Sequence, residues 1–89
     1  GCPVAAVSQE ANSSRLESDC RDIFDQWVAT LTGALTSAGL KRAGQARALA
    51  TLIVAGVEGG TVLARAQGCI EPYDLVARQI TAYAEQLAA

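Results

Sequence analysis

Residues 43–67 read AGQARALATLIVAGVEGGTVLARAQ, a stretch with helical spacing that is apolar or small on nearly every side. Wound at about 100° per residue, it puts Leu49, Leu52, Ile53, Gly60 and Leu63 on one side. Ala48, Ala55, Val62 and Ala66 fall on a neighbouring side, and Ala50, Val54 and Val57 on a third. Only Arg47, Thr51, Glu58, Thr61 and Arg65 share a narrow polar strip. A helix that is apolar all round is normally buried, and a chain of 89 residues offers it only one modest core. Its cover must come from a second copy of the chain, from another part of the same protein, or from a membrane. Length argues against the membrane: the charge-free run 48–57 falls short of the ~20 residues a bilayer span requires, and Glu58 ends it.

Three further helices are expected around this one. Residues 3–11 place Val4, Val7 and Ala11 at helical spacing behind Pro3, at a position that tolerates proline. After the break at Asn12-Ser13-Ser14, the run Ser14-Arg15-Leu16-Glu17 fits a capping box, a hydroxyl and a carboxylate reaching the orphan amides of a first turn. The helix it opens carries an apolar stripe through Leu16, Cys20, Ile23, Phe24, Trp27, Val28, Leu31, Leu35 and Ala38, and Gly39-Leu40 is a stop signal. The last helix starts at Pro72 with Asp74 in its first turn, and lines up Tyr73, Val76, Ile80, Tyr83, Ala84 and Leu87. Leu75 and Ala82 lie off that face and hint at a second contact.

Composition agrees with packed helices: 51% of the residues are hydrophobic but only 4% aromatic, and β-branched alternation is nowhere sustained. A net charge of −2 without a basic cluster argues against a grip on nucleic acid by these residues. Cys2, Cys20 and Cys69 are odd in number and widely spaced, and histidine is absent. A zinc site or disulfide framework is not expected, and the cysteines are read as thiols packing like small apolar residues in a reducing cytosol. No signal peptide pattern is present. With no Met and a Gly1-Cys2-Pro3 opening, the chain is expected to be a piece of a longer or processed protein.

Catalysis finds little support. Without histidine no Ser–His or Cys–His pair can form within the chain, and Asp19, Asp22 and Asp25 read as a solvated face beside Arg15 and Arg21. Gly56, Gly59 and Gly60 sit inside a helical pattern with no strand before them, so they are not a phosphate loop. Three glycines in a helix interior cost on the order of 2–3 kcal/mol, which calls for a reason. Gly56 and Gly60 form a small-x-x-x-small pair suited to close approach of another helix; a bend or space beside a ligand is the other reading. Glu58 stands alone in the most apolar helix, about two turns from Arg65. It belongs to a solvated strip, to a charge pair across a subunit interface, or to a ligand cavity, and if buried it needs Arg65, Arg47 or a partner's arginine. Phe24, Trp27 and Leu31 form the bulky inward stripe, either packed core or the wall of an apolar ligand cavity.

The ordered pieces GCPVAAVSQEA, FDQW, SAGL, ALATLIVAGVEGGTVLARA and PYDLVARQI resemble the C-terminal ligand-binding domain of TetR-family transcriptional regulators. The resemblance covers essentially the whole chain and rests on motif order and spacing, with no catalytic signature. It implies an all-α antiparallel helical bundle, four helices in residues 1–89, with the last two pairing with their copies in a dimer. By position, it makes Glu58, Gly59, Val62, Arg65, Ala66, Tyr73, Val76, Gln79, Ile80 and Tyr83 dimer-interface candidates. It makes Val7, Phe24, Trp27, Leu31, Leu49 and Ile53 pocket candidates. The implied function is that of a cytoplasmic, non-enzymatic regulatory domain that forms a homodimer and binds a small apolar effector. It needs no cofactor or metal, and operator DNA would be reached only through an N-terminal helix-turn-helix domain that these residues do not include. The competing expectation is a purely structural helical dimerisation module whose interior is filled by side chains.

Overall fold

A computed structural model of the chain describes residues 14–42 and 44–89. Among the described residues there are three helices, not the four expected: α1 (Ser14–Ser37), α2 (Gln45–Gln67) and α3 (Glu71–Ala88). The segment expected as a further helix, residues 3–11, lies outside them, and so do Val7 and the side chain of Ser14 on which the capping box rests. No strand occurs among the described residues.

The ends of the helices follow from local chemistry. At the end of α1 the Leu40 amide donates to the Leu35 carbonyl at 3.0 Å and the Gly39 amide to Thr36 at 3.1 Å. This reciprocal pair is the Schellman arrangement, and it needs the positive φ of 121° that Gly39 adopts. The same device closes α2, where Cys69 donates to Ala64 and Gly68, at φ 69°, donates to Arg65. The start of α2 lies two residues later than the apolar run suggested. Gly44 sits at φ 77°, outside helical geometry, and caps Gln45 from the left-handed region. In α3, Pro72 occupies the first turn with Glu71 and Asp74, where the missing amide is harmless and carboxylates suit the helix dipole.

Short links make neighbours antiparallel, and α2 is the middle helix, packed against α1 on one flank and α3 on the other. The α2–α3 register shows the opposed directions: Gly56 faces Val76 and Ile80, whereas Gly60 faces Tyr73 and Val76. The assembly spans 43 × 32 × 13 Å. Its depth and width are those of helices lying side by side in one layer, an open arrangement rather than a closed bundle.

A single layer buries little. Among the described residues the apolar core consists of Cys20, Ala46, Leu49 and Ala50, mostly small side chains at the seams. Leu52, Val57, Val62 and Leu63 of α2 remain exposed, as do Ile70, Leu75 and Tyr83. The apolar excess read in residues 43–67 is therefore not absorbed by the described part of the chain. By length and composition α2 could also cross a bilayer, but a core helix of a soluble domain passes the same test, and its flanks here are seams with two amphipathic helices.

Candidate functional site

The two flanks of α2 create two different surfaces. Toward α1, Ile53, Val54, Val57 and Glu58 meet Trp27, Thr30 and Leu31 around an open cavity of about 340 Å³. The spacing explains the pairing. Trp27 and Leu31 are one turn apart on the α1 stripe, and Ile53 and Val57 are one turn apart on α2. Phe24 stands behind Trp27, its ring edge-on at 5.3 Å and 89°, and this contact orients the indole.

Of the residues expected in a pocket, the structure brings Trp27, Leu31 and Ile53 around one cavity, with Phe24 packed against Trp27. Leu49 is placed elsewhere: it is buried and borders a second hollow of about 370 Å³, where Leu35 and Leu40 approach Ala84 and Leu87. Val54, Val57 and Thr30 were not singled out as pocket residues. Val54 and Val57 lie beside Ile53 on the helical wheel, a signal that was present once α1 is known to be the neighbour on that flank.

Glu58, an interface candidate for which a solvated strip and a ligand cavity were equally open, lines this cavity. The residue is half-buried, and its Oε2 atom is shut away from solvent without a hydrogen-bond partner among the described residues. The neighbouring polar strip does not serve it. Thr61 donates its hydroxyl to the Val57 carbonyl at 2.7 Å, and Thr51 donates to the Arg47 carbonyl at 2.8 Å. Arg47 and Arg65 are exposed, and Arg65 lies in the last turn of α2, where a cation suits the dipole.

On the other flank, the glycine pair finds its helix within the chain. A Cβ on Gly56 would meet Ile80 Cδ1 at 2.5 Å and Val76 Cγ1 at 3.0 Å; one on Gly60 would meet the Tyr73 Cα at 3.3 Å. The dimer candidates Tyr73, Val76 and Ile80 thus lie, half-buried, along the seam between α2 and α3. Gly59, Val62, Arg65, Ala66, Gln79 and Tyr83 are exposed, and nothing stands within 4 Å of a Cβ built on Gly59. Beside them a groove of about 270 Å³ runs between Leu52, Gly56, Val76, Gln79 and Ile80. Leu52 and Leu63, 42% and 48% exposed, extend this apolar face. They were not among the interface candidates, although the angular reading put them on one side of the helix.

Cys20 is buried and Cys69 exposed. Among the described residues no group of three or more metal-ligating side chains gathers at one place.

The described residues form an all-α segment, the architecture expected of a TetR-class regulatory domain. The particular family follows from sequence: residues 1–79 match the C-terminal domain of LmrA/YxaF-like transcriptional regulators, and the chain belongs to that family. It is similar to two proteins described as uncharacterized HTH-type transcriptional regulators from Mycobacterium tuberculosis, Rv0196 of strain H37Rv and MT0206 of strain CDC 1551. Identity to each is 32% over 87 residues, covering 90% of this chain and 44% of the relative. The chain thus spans less than half the length of these relatives. No solved structure matches it.

Proposed function

We propose that residues 1–89 are the effector-binding and dimerisation domain of a TetR-class repressor, working in the cytoplasm on operator DNA through a helix-turn-helix domain elsewhere in the protein. The observation that carries this reading is the uncovered state of α2. One face opens into an apolar cavity against α1, and another leaves Leu52, Val62 and Leu63 exposed, as Tyr83 is on α3. Contiguous apolar surface of this sort marks an interaction site on a soluble protein.

A second copy on the α2–α3 face would form a four-helix interface from two helices of each subunit, with Gly59 allowing close approach. Val62, Ala66, Gln79 and Tyr83 would lie in it, and Arg65 at its polar rim. An effector in the α1–α2 cavity would act by population shift. It biases the arrangement of the helices, and so the spacing of the DNA-binding heads, by its differential affinity for the two states and by no more than that. No catalytic role is assigned to any residue.

The test is operator release by the intact regulator. A ligand that fills the cavity lowers operator affinity, and Trp27→Ala removes that response while leaving operator binding in place. A regulator whose operator affinity and thermal stability respond to no small molecule would instead fit a structural dimerisation module.

A further inference from the structure

Resting on the effector reading above, we propose that the ligand is an organic cation: a protonated amine or quaternary ammonium carried on an apolar body. The cavity between α1 and α2 is apolar apart from Thr30 and Glu58. Glu58 Oε2 is removed from solvent and lacks a hydrogen-bond partner among the described residues. Glu58 is the one ionisable side chain of this lining, half-buried in apolar surroundings, and a positive charge is the strongest partner for its carboxylate.

The flanking groups do not supply that charge. The Thr61 hydroxyl is committed to the Val57 carbonyl, and Arg47 and Arg65 point into solvent as exposed side chains. The opposite wall favours the same ligand chemistry. Trp27 offers the aromatic ring that binds cations best, held by its edge-on contact with Phe24. Leu31, Ile53 and Val57 surround the remainder with hydrocarbon. An anionic effector would meet the Glu58 carboxylate without a counter-charge, and a neutral hydrocarbon would bury it further without compensation.

The experiment compares three probes with one skeleton, 3-phenylpropylamine, 3-phenylpropanol and 3-phenylpropanoate, titrated calorimetrically into the intact regulator. The amine binds about tenfold more tightly than the alcohol, and the propanoate binds most weakly. Glu58→Gln, which keeps the size of the side chain, cuts the amine's advantage to about twofold or less. An amine that binds no better than the alcohol, or an advantage that survives in Glu58→Gln, overturns the cation proposal. In that event alcohol binding that is lost in Trp27→Ala still upholds the effector cavity. Failure of all three probes to bind a folded regulator removes the cavity reading, and the cation proposal with it.

Discussion

Gly60 in α2 lies flat against Tyr73 in α3, so close that a Cβ on the glycine would stand 3.3 Å from the Tyr73 Cα and 3.5 Å from its Cδ2. Backbone cannot step aside as a side-chain tip can. Gly60→Ala therefore forces the helices apart and lowers stability by about 1–3 kcal/mol despite alanine's better helix propensity. Gly33→Ala in α1, where nothing lies within 4 Å, raises stability by about 0.5–1 kcal/mol. Urea denaturation of the two variants checks the opposite signs.

The α2–α3 corner depends on Gly68 at φ 69°. An L side chain there enters the left-handed region, at about 1–2 kcal/mol. Gly68→Ala is expected to lower the thermal midpoint by a few degrees. The two Schellman hydrogen bonds are retained, so the circular dichroism of the folded state stays unchanged.

Trp27 is 38% exposed, so its removal leaves less of a void than loss of a fully buried tryptophan. Trp27→Ala costs about 1–2 kcal/mol, part of it the edge-on contact with Phe24. The larger effect falls on ligand binding, because the same ring forms one wall of the cavity. Thermal shift with and without a bound probe separates the two: the unliganded midpoint drops modestly, and the ligand-induced increment disappears.

The helices themselves were legible in sequence because each carries a stripe at helical spacing and ends on glycine or begins on proline. The glycine pair was legible for a related reason, since two missing Cβ atoms one turn apart have few uses other than close packing. Which helix would pack there was not legible. Gly56 and Gly60 meet α3 of the same chain, and periodicity names apolar faces without naming their neighbours.

The same limit explains Glu58. On the helical wheel it shares the polar strip with Arg47 and Arg65, so solvent, an interface and a cavity all suited it. Only the approach of α1 brings it into one cavity with Trp27. The start of α2 was misplaced because apolar periodicity continues through Ala43, whereas the left-handed Gly44 delays the helix to Gln45.

In the proposed homodimer, a second copy of the chain covers part of the apolar excess of α2. Sedimentation equilibrium of the intact regulator at micromolar concentration tests it most directly, with Leu63→Glu as the companion. Leu63 is 48% exposed on the open α2–α3 face, so a carboxylate there leaves the folded subunit intact and is buried only in a dimer. The unmodified protein is expected to sediment as a dimer and the variant as a folded monomer. A well-folded monomer from the unmodified protein, or a dimer indifferent to Leu63→Glu, would contradict the proposed homodimer.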